Sequence, residues 1–231
     1  MNGICKITIG ITSPFSLALD ISCRNNEYPF LIEKKGMSVL PITSIGLNHA
    51  VVSERISTGI PRLDTMMGGE GVFRGSSILL SGTAGTGKTS VSASFVDAAC
   101  RSGERCLYFA FEESQPQIIR NMRSIGIDLE PWLKKGLLKF HTERPTGYGL
   151  ETHLLTMHKL INEFKPAAVA VDPVTNLMSL GDPLDVKAML TRLIDFLKMN
   201  QITAMLTNLT SGGAALEATD VAIRRVNVPQ V

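Results

Sequence analysis

The sequence predicts an α/β fold, a mostly parallel sheet with helices on both faces, and three observations point to it. From Gly75 onward, short apolar runs alternate with amphipathic stretches of helical spacing, as in successive β-α-β units. The connections are long enough for crossover helices, which cover both faces of such a sheet. One apolar run, Ile78-Leu79-Leu80, leads into Gly82-Thr83-Ala84-Gly85-Thr86-Gly87-Lys88-Thr89, which fits G-x-x-x-x-G-K-[ST] at every fixed position and opens a helix-compatible segment. That is a P-loop in the strand and helix context it requires.

Taken in order, residues 1–26 contain an apolar stretch from Ile7 to Ile21, broken by Pro14 and Asp20 and preceded by the single basic residue Lys6. It fits neither a membrane span nor a signal peptide, and no role is assigned to it. Tyr28 to Pro41 alternates charged and apolar residues around Gly36 and predicts a short hairpin, followed by a linker, so that 27–54 form one segment. Ile60, Leu63, Met66 and Met67 have helical spacing, with Pro61 in the first turn and Gly68-Gly69 as a stop. Strands are expected at Ser77–Ser81, Cys106–Phe111, Leu137–His141, Ala167–Val171 and Ile202–Thr207, with helices at Lys88–Arg101, Gln115–Ser124, Leu150–Phe164 and Val186–Asn200. Ser114 and Gln117 have capping-box spacing at the second of these helices. Val186, Met189, Leu190, Leu193, Ile194 and Leu197 share one face of the last helix and are assigned to the core.

The chain has 231 residues, 44% of them apolar, which suits one large α/β domain or one domain with an appendage. With 23 basic against 21 acidic residues, no strong field favours nucleic acid or an anionic membrane surface. Cys5, Cys23, Cys100 and Cys106 form no C-x-x-C pair, which fits a reducing cytoplasm; the last two read as small core residues between a helix and a strand. His49, His141, His153 and His158 lack zinc-ligand spacing.

The P-loop residues have distinct tasks. Main-chain N–H groups must approach a triphosphate closely, and Gly82, Gly85 and Gly87 allow this because they lack a Cβ and have free φ. Lys88 brings an ammonium to the β and γ phosphates. Thr89 offers a hard oxygen to Mg²⁺, and the helix N-terminus adds partial positive charge. Hydrolysis also needs a carboxylate near the metal and a group that activates the attacking oxygen. Val169-Ala170-Val171-Asp172 is an apolar strand ending in aspartate, the Walker B arrangement, which makes Asp172 the second Mg²⁺ candidate. Glu112 and Glu113 end another strand at the sheet edge where ligands of open α/β folds bind, and one of them can serve as base. Thr207 and Asn208, at the end of the last strand, are candidate γ-phosphate sensors.

Several of these segments together resemble the KaiC family of RecA-like ATPases: Arg55-Ile56-Ser57-Thr58-Gly59-Ile60-Pro61-Arg62-Leu63-Asp64, the P-loop, Phe109-Ala110-Phe111-Glu112-Glu113-Ser114, and Arg120-Asn121-Met122-Arg123-Ser124-Ile125-Gly126. Phe164-Lys165-Pro166-Ala167, Asp172-Pro173-Val174-Thr175-Asn176 and Thr207-Asn208-Leu209-Thr210 extend the likeness, which covers roughly 27–222. The wording is closer to the second of that family's tandem ATPase modules. On that basis 27–54 would be the end of a preceding module with its linker, and 55–231 an incomplete RecA-like domain lacking C-terminal strands.

The resemblance implies ATP and Mg²⁺ as ligands, slow hydrolysis with Glu112 and Glu113 as the catalytic acids, and a hexameric ring with nucleotide between subunits. It also implies clock-protein partners and Ser/Thr autokinase activity. Where the resemblance places a phosphoacceptor pair the chain has Arg224-Arg225, so self-phosphorylation is the weakest inherited expectation. A nucleotide-binding chain that joins rings of a full-length relative is the non-enzymatic alternative. A DNA-dependent recombinase is disfavoured, because the loops Pro173–Asp185 and Leu209–Asp220 carry acidic residues and no Lys or Arg.

Overall fold

The computed structural model describes residues 8–13, 16–20, 30–33, 36–39, 52–145 and 149–210. The chain divides into two compact units, Met1–Ile42 and Thr43–Val231. In the first, β1 (Thr8–Ser13) pairs antiparallel with β2 (Ser16–Asp20), with a register irregularity between Ile11 and Ser13. Within the unassigned apolar stretch, residues 8–13 and 16–20 therefore form two paired strands, in keeping with the β-branched residues of the first. A second hairpin pairs β3 (Phe30–Glu33) with β4 (Gly36–Val39), in register from Phe30↔Val39 to Glu33↔Gly36. It lies where the alternation around Gly36 predicts it.

The second unit opens with β5 (Arg55–Ile56), α1 (Pro61–Met66) and β6 (Val72–Phe73), the two strands pairing antiparallel. The side chain of Asp64 ties this segment together: Oδ1 accepts from the Thr58 amide at 2.8 Å and the Thr58 hydroxyl at 2.6 Å, while Oδ2 accepts from the Ser57 hydroxyl at 2.5 Å. Burial works to raise the Asp64 carboxyl's pKa, but the Ser57 and Thr58 donors outweigh it and hold the group below its usual range. Gly59, at φ +78°, lies so close to α2 (Lys88–Arg101) that an added Cβ would stand 2.3 Å from the Ser94 carbonyl oxygen. Only glycine satisfies both the angle and the space.

The central sheet has five parallel strands. They are β7 (Ser77–Gly82), β8 (Cys106–Ala110), β9 (Leu138–Thr142), β10 (Ala168–Asp172) and β11 (Thr203–Leu209), in the spatial order β7-β11-β10-β8-β9. β8 and β10 are buried along their whole length. One face, through Cys106, Tyr108, Ala110, Ala168, Ala170 and Met205, packs with Ala93, Phe95, Val96, Ala99 and Cys100 of α2 and with Ile118 and Met122 of α3 (Gln115–Ser124). The helices α5 (Leu150–Phe164) and α6 (Pro183–Met199) bury Leu154, Met157, Ile161, Val186, Met189, Leu190, Leu193 and Leu197. The ring of Phe111, just past β8, meets His153 of α5 edge-on at 6.1 Å. Cys100 and Cys106 are both buried free thiols, as expected of core residues.

The helices expected at Lys88–Arg101, Gln115–Ser124 and Leu150–Phe164 have those bounds. α6 starts a turn earlier than its apolar stripe, at Pro183, because the Asp182 side chain accepts from the Leu184 amide at 2.8 Å and Pro183 is preset for a first turn. Ile194 is half-buried, while the other five stripe residues are buried. Two helical elements escape periodicity because they are too short to show it, α4 (Glu130–Lys134) and a 3-10 segment, Val174–Leu180, as do the two-residue strands β5 and β6. No helix among the described residues is long and apolar enough to cross a membrane.

Candidate functional site

Parallel strands end on one edge of a sheet, and the candidate residues collect there. Gly82 ends β7, Asp172 ends β10, Glu112 and Glu113 follow β8 by two and three residues, and Thr207 and Asn208 lie in the last turn of the β11 ladder, Asn208 pairing with Ser81. Gly85 and Gly87 both have φ +80°, and nothing lies within 4 Å of where a Cβ would stand on either. The space over the loop is therefore open, and the glycines are required by the backbone angle. Gly82 differs: a Cβ there would meet the Thr86 hydroxyl oxygen at 2.8 Å.

Gly87 is the N-terminal boundary residue of α2, so the free amides of the helix start face the loop. Lys88 Nζ donates to the carbonyls of Gly82 at 2.8 Å and Thr83 at 2.6 Å and approaches the Thr86 hydroxyl at 3.4 Å. Thr86 in turn donates to the Thr83 carbonyl at 2.9 Å. The Gly82 carbonyl also accepts from the Thr210 amide at 3.1 Å, which ties the start of the loop to the end of β11. Ala84 sits within the turn, and Thr89, the second residue of α2, is half-buried.

Asp172 is 8% exposed and held from two sides. Its Oδ2 accepts from the Tyr108 hydroxyl at 2.7 Å, and its Oδ1 accepts from the Thr207 hydroxyl. Burial, followed by the charge and hydrogen bond of Asp172 and then the charge of Glu113, pushes the Tyr108 phenol well above its ordinary pKa, so it remains a donor. Thr207, wholly buried, thus holds Asp172. Asn208 Oδ1 accepts from the Thr175 hydroxyl at 3.2 Å, and Thr175 Oγ1 accepts from the Leu209 amide at 2.6 Å. Asn176 Nδ2 donates to the Phe111 carbonyl at 3.1 Å, while the Phe111 amide donates to the Asp172 carbonyl at 2.9 Å. The segment after β10 therefore stitches the ends of β8 and β11 together.

The two glutamates are not equivalent. Glu112 is exposed, whereas Glu113 is half-buried and its Oε2 accepts from Asn121 Nδ2 at 3.1 Å. Between them and α3, the Gln117 side chain accepts from the Ser114 amide at 2.8 Å and from the Ser114 hydroxyl at 2.7 Å, which fixes where the helix begins. Sequence reasoning passed over Tyr108, Thr175 and Asn121 as site residues. Tyr108 carries the one faint signal, a polar tip in an otherwise apolar strand, since a buried phenol needs an acceptor. An open groove of about 770 Å³, lined by Pro116, Ile119, Arg120, Arg123, Leu133 and Lys134 among others, runs along the outer side of α3 and contains none of the predicted site residues.

Comparison with known proteins agrees with this arrangement. The family model described as "ATPase: KaiC" matches residues 56–223. Circadian clock protein KaiC2 of Synechocystis sp. is 55% identical over 201 residues, 86% of this chain and 35% of that protein. KaiC3 of the same organism is 40% identical over 197 residues, 84% of this chain and 39% of that protein. The circadian clock oscillator protein KaiC of Synechococcus elongatus is 38% identical over 182 residues, 79% of this chain and 35% of that protein. The chain therefore spans little more than a third of the length of these relatives. The P-loop, the Asp172 strand and the Glu112-Glu113 strand end all fall within the matched region, and the chain belongs to the KaiC ATPase family.

Proposed function

We propose that this chain binds ATP with Mg²⁺ and hydrolyses it at the strand-end edge of its parallel sheet. The observation that carries the reading is the open loop over Gly85 and Gly87, with Lys88 and the start of α2 beside it, on the same edge as three carboxylates, Asp172, Glu112 and Glu113. The residues present suit the ligands. The amides of Thr83 to Lys88 and the α2 N-terminus favour phosphate oxygens, and Thr89 and Asp172 supply hard oxygens for Mg²⁺. Lys88 bonds neutral carbonyls, and a phosphate displaces them because the charge-assisted contact is the stronger one.

Bound Mg²⁺ supplies charge neutralisation at the β and γ phosphates. The protein's own tasks are orientation and proton transfer. Tyr108 and Thr207 hold the Asp172 side chain in place at the sheet edge, and one of the two glutamates accepts the proton of the attacking water. The proposed reaction is hydrolysis rather than self-phosphorylation, because Arg224-Arg225 replace the hydroxyl pair that the family resemblance places there. Assembly with further copies, or with a full-length KaiC relative, follows from the same reading.

Lys88→Ala abolishes detectable Mg·ATP binding in titration calorimetry, and Glu112→Gln with Glu113→Gln retains binding and loses turnover. Unchanged turnover in that double variant removes the assignment of the acids. Mass measurement with and without a non-hydrolysable ATP analogue reports assembly, and a mass that stays monomeric in both conditions removes the ring.

A further inference from the structure

We propose that Asn121 is the positioning residue for Glu113 and that Arg120 fixes the orientation in which it acts. The proposal rests on the reading of Glu112 and Glu113 as the catalytic acids. Asparagine is a poor choice for the interior of a helix, since its side chain competes with the backbone for hydrogen bonds. Here it is satisfied at both ends instead. Nδ2 donates to Glu113 Oε2 at 3.1 Å, and Oδ1 accepts from Arg120 Nε at 3.2 Å and from an Arg120 terminal nitrogen at 3.0 Å. Because a guanidinium only donates, it pins the amide with its oxygen toward Arg120 and its NH₂ toward Glu113.

The platform for this contact is fixed. Ile118 and Met122 anchor α3 in the core, and Gln117 ties down the Ser114 amide directly after Glu113. A glutamate has freely rotating side-chain bonds, and a donor on a rigid helix removes that freedom before substrate arrives. The Tyr108 phenol responds to the charge of Glu113 as well as to that of Asp172, so the held carboxylate lies within electrostatic reach of the Asp172 cluster. Aspartate at position 121 would face Glu113 with like charge, and leucine would offer no donor.

The test uses the full chain in four forms: unaltered, Asn121→Ala, Glu113→Gln and the two combined. Steady-state ATP turnover and Mg·ATP affinity are measured for each. Asn121→Ala lowers kcat about tenfold, the scale expected when a reacting group is mispositioned, and leaves the affinity within about twofold. The combined variant turns over no more slowly than Glu113→Gln alone. A merely structural asparagine would lower the melting temperature and leave kcat in place. Wild-type kcat in Asn121→Ala beside an impaired Glu113→Gln overturns the proposal, as do losses that multiply in the combined variant. Wild-type kcat in Glu113→Gln instead removes Glu113 from the catalytic pair, and the proposal with it, while leaving Glu112 as the base of the proposed hydrolysis. Independently of turnover, the Asn121 side-chain amide resonances shift in Glu113→Gln and stay in place in Glu112→Gln. If they do not respond to Glu113→Gln, the contact itself is refuted.

Discussion

Replacing Tyr108 with phenylalanine removes one oxygen from a fully buried position and leaves the ring in its place against Phe140, with centroids 5.1 Å apart. What changes is Asp172. Its Oδ2 loses the donor at 2.7 Å, while Oδ1 keeps the Thr207 hydroxyl. A hydrogen bond to a charged group contributes about 1.5–3 kcal/mol, and a buried acceptor left without a partner carries a desolvation penalty of similar size. Asp172 sits at the sheet edge, where a water can replace part of the lost contact, so the expected loss is about 2 kcal/mol. For a domain of this size that is a fall of about 4–8 °C in melting temperature. Urea unfolding measures it directly, with a shifted midpoint and an unchanged slope. In an Asp172→Asn background the same substitution has a clearly smaller effect, because the acceptor is no longer charged. A Tyr108→Phe chain within about 0.5 kcal/mol of the unaltered one, the range of an ordinary surface substitution, refutes the view that this phenol anchors Asp172.

Gly59→Ala forces both a left-handed backbone angle and a Cβ 2.3 Å from the Ser94 carbonyl oxygen, and destabilises by at least about 3 kcal/mol, whereas Gly103→Ala, at φ +81° with nothing within 4 Å, loses about 1 kcal/mol. Equal effects of the two in urea unfolding would show that the close approach to α2 is not rigid. Burial depresses the His158 imidazole to about 4 from its usual 6.5, so the unfolded chain takes up the proton first as pH falls. Stability is therefore complete above pH 6.5 and declines toward pH 4, by about 2 kcal/mol once the partial exposure of the ring is discounted. His158→Phe, which keeps the stacking on Phe196, flattens the pH dependence of denaturant midpoints over that range; a slope that persists assigns it to another group. Asp64 acts in a separate window. Its carboxyl lies below its usual 3.8, so its contribution is complete above about that pH and is lost only as pH falls further, and Asp64→Asn alters the acid limb below pH 4 without touching the one above it.

The parts of this molecule that were legible in the sequence are those written in local chemistry. The α2 start is spelled by Gly87 and Lys88, the α3 start by Ser114, Pro116 and Gln117, and the α5 face by the spacing of Leu154, Met157 and Ile161. Strand ends shift by a residue or two, because β pairing is decided by the neighbouring strand: β11 runs to Leu209 since Asn208 and Leu209 find partners in Ser81 and Gly82. The strand order was not legible, and neither were the contacts that depend on it. Tyr108 and Asp172 lie 64 residues apart, and Thr207 and Asp172 35 apart; the phenol in an apolar strand signals that it needs an acceptor, but not which one. Asn121 and Glu113 are only 8 residues apart, yet that spacing is meaningful only once a capped helix turns one back toward the other.

Among the described residues, β7 has a hydrogen-bonded neighbour on one side only, and that neighbour is β11. Ile78, Leu79 and Leu80 are correspondingly only half-buried. Among the described residues, the segment that delivers the glycine-rich loop is held by the β11 ladder and by the Thr210 amide on the Gly82 carbonyl. Main-chain protons of β7 that face away from β11 will trade with deuterium sooner than those of β10, which is flanked on both sides. A strand that pairs along that outer margin of β7 would act as a splint for the glycine-rich turn, tightening it from outside the loop.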